Sequence, residues 1–217
     1  MGHHFGWDEF TFLLSGLQWT ILLTLIAFFG GCSAGLVVAL ARTSGNAVLE
    51  RVTRIYIGVF QGTPLLMQLF VVYYGLGLIG LKLSAFTAVA IGFTFNASAF
   101  LGEIWRGSIE AVPRGQMEAA SALGLHYLDR MRDVILPQAF RISLPATIGY
   151  LVQLIKGTSL AAIVGFIELA RAGQIVSNQT YQPLLVFGVV GVIYFFLCWP
   201  LSLWGSHMEN KLAVASR

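Results

Sequence analysis

The sequence predicts an all-α polytopic membrane protein with about five transmembrane helices, its N-terminus outside and its C-terminus inside. Of its 217 residues, 57% are hydrophobic and 11% are charged, and the mean hydropathy is +0.77. Ordinary soluble domains carry about 25% charged residues, so this is the composition of a membrane protein. Long apolar runs predict the number of helices, and the one-sided distribution of lysine and arginine predicts their orientation.

Five apolar runs are long enough to cross a bilayer, which takes about 20 helical residues. They cover residues 16–41, 55–78, 84–105, 142–167 and 184–204. The segment before the first run lacks the basic and apolar regions of a cleavable signal, and its aromatic residues between Phe5 and Phe12 predict a short stretch at the outer interface. The second run contains Gln61-Gly62-Thr63-Pro64, which predicts a kink.

Lysine and arginine concentrate on one side of these runs. With the N-terminus outside, the inside segments hold Arg42, Arg51, Arg54, Arg106, Arg114, Arg130, Arg132, Arg141, Lys211 and Arg217. The outside loops keep Lys82 and Arg171. Because cytoplasmic loops are enriched in these residues, residues 106–141 are predicted in the cytoplasm. No internal repeat or linker divides the chain, so residues 1–217 are predicted to form one transmembrane domain.

Charge and cysteine content argue against several other classes of protein. The formal net charge of +3 is too small to suggest a nucleic-acid partner. Cys32 and Cys198 lie in separate apolar runs, as small hydrophobic residues do, and suggest neither a disulfide framework nor a metal site. The runs contain no nucleophile paired with a base and no metal-ligand spacing, so no enzymatic chemistry is predicted.

The most polar long stretch is RGQMEAASALGLHYLDRMRDVILPQ, residues 114–138. Helix-forming residues over 116–123 predict a first helix that Gly124 ends, and the spacing of apolar residues over 127–136 predicts a second that Pro137 ends. Alanines give the first helix a surface without bulk, so another protein can approach its backbone closely. A solvated loop, with Glu118 as a first-turn cap, is the alternative interpretation.

Spaced residues in this stretch resemble the cytoplasmic EAA loop of bacterial ABC-importer permeases. They are Glu118, Ala119, Ala120, Ala122, Gly124 and, after Ile135-Leu136, Pro137. Blocks at 62–76, 136–145 and 156–174 are similar to the polar amino-acid branch of that family, and the resemblance covers nearly the whole chain. It implies a type I ABC importer permease fold in the bacterial inner membrane. It also implies that these residues couple the chain to an ATPase subunit.

The source of energy for transport is expected to lie in another chain. No phosphate-binding loop motif occurs, because KGTS at 156–159 has the wrong order and lies within an apolar run. No cofactor is therefore predicted here, and ATP and Mg are expected on the ATPase. The resemblance implies an ATPase dimer, a second permease chain that is either a copy or a sister, and an extracytoplasmic amino-acid-binding protein. A self-sufficient secondary carrier or channel, or a noncatalytic scaffold or receptor, is the alternative.

Ionisable residues within the runs are candidates for contact with a solute, because burying charge at the bilayer centre costs about 2.5–3.5 kcal/mol. Lys156 is positioned to face a carboxylate, with snorkelling or an ion pair as the alternative. Glu103 is positioned to face an ammonium group, with an interfacial pair to Arg106 as the alternative. The uncharged candidates, for which bonds between helices are the alternative, are Gln68, Asn96, Ser98, Gln153, Thr158 and Ser159.

Two positions depart from the pattern of the family that the chain resembles. Related permeases commonly have arginine where this chain has Gln61, and aspartate where it has Gly157. The sequence therefore leaves open whether the solute is a cationic, acidic or neutral amino acid.

Overall fold

The computed structural model describes residues 4–215 of the chain, with side chains as far as residue 212. The described part consists of helices joined by short connections and includes no strand. The helices are α1 (Trp7–Arg42), α2 (Ala47–Gly62), α3 (Leu65–Leu78), α4 (Ala85–Glu110), α5 (Arg114–Ala122), α6 (Tyr127–Val164), α7 (Leu169–Thr180) and α8 (Pro183–Ala215).

Four of these helices, α1, α4, α6 and α8, are each long and apolar enough to cross a membrane. The pair α2 and α3 passes the same test together, which makes up to five spans among the described residues. The predicted all-α architecture with about five transmembrane helices is therefore confirmed.

The second predicted span is two helices and not one kinked helix. Helices α2 and α3 meet at an angle of 104°. Thr63 is extended, with φ of −113° and ψ of 142°, because the ring of Pro64 excludes the helical conformation for the residue before it. Pro64 also lacks the N–H that would continue the hydrogen-bond ladder of α2.

Helix α6 joins the second half of the polar stretch to the fourth predicted span. It runs through Pro137, so the prediction that Pro137 ends a helix was wrong. A π-helical turn over Arg130–Ile135 precedes this proline. Its wider winding shifts the upstream carbonyls that a proline ring would meet in a regular α-helix.

The N-terminus also differs from the prediction. Trp7 begins α1, so the aromatic stretch expected at the outer interface forms the first turns of the first transmembrane helix, and the prediction of a separate stretch was wrong. The Gly6 N–H donates to Oε2 of Glu9 at 2.9 Å, which caps this end. Asp8 and Glu9 lie where the helix dipole favours negative charge.

Helices α1 and α4 form the centre of the fold through close backbone contact. A Cβ at Gly35 of α1 would lie 3.1 Å from both the Gly102 nitrogen and the Ser98 carbonyl oxygen of α4. Only a residue without a side chain fits there. Helix α6 packs on the same core, where Phe93 and Leu101 of α4 meet Leu154.

Helix α7 is absent from the sequence predictions because it is too short and too polar for a span. It packs against α1 and α8 through a cluster of buried aliphatic side chains. The members are Leu13, Leu169, Ala172, Val176, Val186 and Val190. Gly16 of α1 allows this approach, since a Cβ there would lie 2.9 Å from the Ala172 Cβ.

Candidate solute cavity and docking helix

An open cavity of about 460 Å³ lies where the break between α2 and α3 faces α4 and α6. Its lining residues are Phe60, Thr63, Leu65, Asn96, Phe100, Tyr150, Gln153, Leu154, Lys156, Gly157, Ser159 and Leu160. Four of the predicted solute-contacting residues, Asn96, Gln153, Lys156 and Ser159, are thus brought together from two helices.

A chain of hydrogen bonds forms the back of this cavity. The Tyr150 hydroxyl of α6 donates to Oδ1 of Asn96 on α4 at 3.1 Å. Nδ2 of Asn96 in turn donates to Oε1 of Gln68 on α3 at 3.0 Å. All three side chains are buried, so the chain links three helices in a region where an unpaired polar group would be costly.

Gln68 also satisfies the backbone at the helix break. Its Nε2 donates to the carbonyl oxygens of Phe60 and Thr63, at 2.8 Å and 3.0 Å. These carbonyls have lost their partners, because a helix leaves its last C=O groups unpaired and Pro64 has no N–H. Gln68 therefore lies behind the cavity as a structural bridge.

Three other predicted residues, Ser98, Thr158 and Glu103, do not line the cavity. Ser98 is fully buried and bonds the hydroxyl of Tyr56 and the Phe95 carbonyl, which ties α4 to α2. Thr158 is fully buried and donates to the Ile155 carbonyl at 2.7 Å. Short polar side chains bond their own or a neighbouring helix in this way when no water is in reach.

Glu103 forms an ion pair with Arg106, as the alternative interpretation anticipated. The guanidinium donates from Nη2 to Oε1 at 2.6 Å and from Nε to Oε2 at 3.0 Å. Arg106 also contacts Glu110 one turn further along α4. Because both carboxylate oxygens of Glu103 are engaged, its charge is neutralised within α4 and does not reach the cavity.

Two polar residues of this region, Tyr150 and Glu168, are absent from the sequence predictions. Tyr150 lies one turn before Gln153 on α6, a spacing that places both near one helix face. Glu168 is fully buried between α6 and α7. Glu168 lies just outside the apolar run of residues 142–167, so it was not among the ionisable residues predicted within the spans.

Glu168 caps α7 and joins it to α8. Its carboxylate accepts from the N–H groups of Ala170 and Arg171 at 2.8 Å and 2.7 Å, and from the Tyr194 hydroxyl at 3.0 Å. Burial raises the pKa of Glu168, and these hydrogen bonds oppose that shift because they favour the charged form. The arrangement holds α7 in place, and Glu168 does not line the cavity.

The small-residue helix α5 presents part of its surface to solvent. Glu118, Ala119 and Ala122 are exposed, whereas Ala120 is buried. Gly124 follows with φ of +78°, the left-handed conformation that glycine adopts at helix ends. Pro137 lies apart from this surface, within α6.

A small hydrophobic cluster anchors this region to the spans. Val112, Met131, Ile135 and Ala139 form it, and Met117 of α5 packs against it. Helix α5 is therefore seated on the beginning of α6 and the end of α4, and its exposed face remains open for a partner.

Residues 31–213 match the family model of the "Binding-protein-dependent transport system inner membrane component". The chain belongs to this family. It is accordingly a multi-pass permease of the bacterial inner membrane, and the predicted membership is confirmed.

Curated relatives of this permease align along almost their whole length. A probable amino-acid ABC transporter permease, YckA of Bacillus subtilis, is 37% identical, over 95% of this chain and 91% of the relative. The L-cystine transport system permease TcyB of the same organism is 37% identical, over 92% of this chain and 86% of the relative. A putative glutamine transport system permease, GlnP of Rickettsia felis, is 34% identical over 96% of each.

Solved structures of ABC transporters share the fold of this permease. A crystal structure of an amino acid ABC transporter with histidines superimposes with a TM-score of 0.87 at 35% identity, over 94% of this chain and 95% of the other. An inward-facing MetNI methionine ABC transporter gives a TM-score of 0.79 at 21% identity, over 95% of this chain and 99% of the other. The predicted type I ABC importer permease fold is confirmed.

Replacing Gln68 by alanine is expected to destabilise the permease, because the Phe60 and Thr63 carbonyls and the Asn96 amide lose their partner. An unsatisfied buried polar group costs about 1–3 kcal/mol. Thermal unfolding of the purified protein in detergent measures the effect. Gln61→Ala is the matched control, since Gln61 is exposed on α2. Equal unfolding temperatures for the two variants would contradict the bridging role of Gln68.

Proposed function

We propose that this permease is the transmembrane subunit of an ATP-driven importer of polar amino acids. A separate ATPase dimer, which binds ATP and Mg, would drive it, and an extracytoplasmic amino-acid-binding protein would deliver the solute. The chain itself would catalyse no reaction. The names of the relatives support the solute class, and the family description supports a binding-protein partner.

One structural observation carries the coupling part of this proposal. Helix α6 runs without a break from the seat of α5, at Met131 and Ile135, to the cavity residues Tyr150, Gln153 and Lys156. A displacement of α5 by a docked ATPase therefore moves the helix that lines the cavity. Such a movement would shift the population between inward-open and outward-open states.

The proposed topology places α5 in the cytoplasm and the N-terminus outside. Arginines follow α1 and α4 and precede the apolar part of α6, on the side where positive residues accumulate in cytoplasmic loops. The region of about 106–141 would then be the coupling loop. Glu118, Ala119, Ala122 and Gly124 would meet the ATPase, Ala120 would seat the helix, and Pro137 would lie in the connection to the cavity.

A second permease chain, either a copy or a sister, is part of the proposal because α6 exposes polar side chains within its apolar span. Gln153 and Lys156 are both exposed in the single chain. A lysine facing lipid near the bilayer centre costs about 2.5–3.5 kcal/mol on insertion scales. A second permease chain and the water of the pathway between the two chains would remove that cost.

The cavity is the proposed place of contact with the amino acid. Lys156 would bind its carboxylate, and Asn96, Gln153 and Ser159 would orient its ammonium group through oxygen acceptors. Gln68 would act by holding Asn96 in position. Ser98, Thr158 and Glu103 would contribute to helix packing and would not contact the solute.

Transport by the reconstituted complex tests the proposal. Proteoliposomes that hold the permease, its ATPase and its binding protein are expected to take up labelled amino acids only when ATP is supplied on the ATPase side. An ion gradient without ATP is expected to give no uptake. Uptake by the permease alone, driven by an ion gradient, would show a secondary carrier or channel instead. No movement of solute in the full complex would indicate a scaffold or receptor.

Site-specific cross-linking tests the docking surface of α5. Ala119→Cys and Ala122→Cys, labelled with a thiol-reactive benzophenone, are expected to form a photoproduct with the co-purified ATPase, because both positions are exposed. Ala120→Cys, in the same helix but 4% exposed, is the matched control and should react little. The unchanged chain controls for Cys32 and Cys198. Failure of both exposed positions to capture the ATPase would contradict the assignment.

A further inference from the structure

The charge of Lys156 is not balanced by the residues around it. Among the side chains that the structure describes, as far as residue 212, no carboxylate lies within 4.0 Å of its ammonium group. Two carboxylates near the spans are engaged elsewhere, Glu103 with Arg106 and Glu168 with the N-terminus of α7. Lys156 therefore brings an uncompensated positive charge to the cavity.

The other described side chains that line the cavity are uncharged. They include aromatic and aliphatic groups, and the polar ones are Thr63, Asn96, Tyr150, Gln153 and Ser159. A neutral oxygen can accept a hydrogen bond from an ammonium group, but it cannot compensate a full charge at low dielectric. The cavity accordingly offers one site for an anion and no counter-ion for a cationic side chain.

Several of these neutral acceptors are already partly used. Oδ1 of Asn96 accepts from the Tyr150 hydroxyl at 3.1 Å. The Ser159 hydroxyl donates to the Lys156 carbonyl at 2.8 Å, which leaves its oxygen free to accept. The Gln153 amide has no side-chain partner among the described residues. The acceptors that remain suffice for one ammonium group, the α-amino group that every amino acid carries.

We infer that the cavity selects amino acids by net charge, and that it accepts anionic and neutral ones and disfavours those with a cationic side chain. The inference rests on the proposed function, since it requires the cavity to contact the solute. An anionic amino acid cancels the charge of Lys156. A neutral zwitterion leaves that charge in place, and arginine or lysine adds a second positive charge beside it.

The chain offers two positions where this balance can be altered. Ser159 lines the cavity one helical turn after Lys156, so an aspartate there would pair with the lysine. Gly157 also lines it, and a Cβ at this position would be 3.4 Å from Cε1 of Phe93 and 3.6 Å from Cδ2 of Leu65, ordinary contact distances. Either residue can therefore be replaced by aspartate. The matched control at each position is asparagine, which has the same size but no charge.

Equilibrium binding of labelled L-glutamate, L-glutamine and L-arginine to the permease–ATPase complex in nanodiscs tests the inference. The binding protein is left out, so that its own selectivity does not enter. The unchanged complex is expected to bind glutamate and glutamine at least about tenfold more tightly than arginine, because like charges at cavity distances repel. Ser159→Asp is expected to raise the affinity for arginine about tenfold relative to Ser159→Asn.

Gly157→Asp against Gly157→Asn repeats the comparison should the first pair fail to fold. Arginine binding as tight as glutamine binding in the unchanged complex would overturn the inference, and so would equal arginine affinities in the aspartate and asparagine variants. Binding of none of the three probes by a complex that still imports amino acids with ATP would also overturn it. Absence of ATP-driven uptake would instead count against the proposed function, so the two failures are distinguishable.

Discussion

The continuity of helix α6, which runs from Tyr127 to Val164 through Pro137 and Pro145, is the constraint on which the rest of the molecule depends. One end of this helix carries the seat of α5, and the other carries Gln153 and Lys156 beside the cavity. If α6 were broken between these ends, a movement of α5 by a docked partner would not be transmitted to the cavity. Pro137 and Pro145 both lie between them, and a π-helical turn precedes Pro137.

The cavity exists because a neighbouring helix is broken where α6 is not. The turn at Thr63-Pro64 sends α3 away from α2 at 104° and leaves room between them and α4. Exposed backbone carbonyls cannot remain unpaired inside a membrane, and the Gln68 amide satisfies two of them. The same side chain positions Asn96. Gln68 therefore both satisfies the backbone at the helix break and fixes a residue that lines the cavity.

The helical spans could be predicted because length and hydropathy alone determine them, and the break was foreseen as a kink because proline acts locally. Local rules failed at Pro137, which follows a π-helical turn and does not end the helix. They also failed at α7, which is stabilised by packing on α1 and α8. Asn96, Gln153, Lys156 and Ser159 were identified as polar residues in apolar runs. Tyr150 and Glu168 were not, because their roles depend on tertiary hydrogen bonds.

The central claim is that α6 transmits motion as a rigid rod. Spin labels at Leu128→Cys and Ile163→Cys, both exposed on α6, would be about 50 Å apart at 1.5 Å per residue. Pulsed electron paramagnetic resonance on the permease–ATPase complex, with and without a non-hydrolysable ATP analogue, measures that distance. The distance between the two labels is expected to be the same in both states, while distances from α6 to α1 change. A change within α6 itself would contradict this expectation.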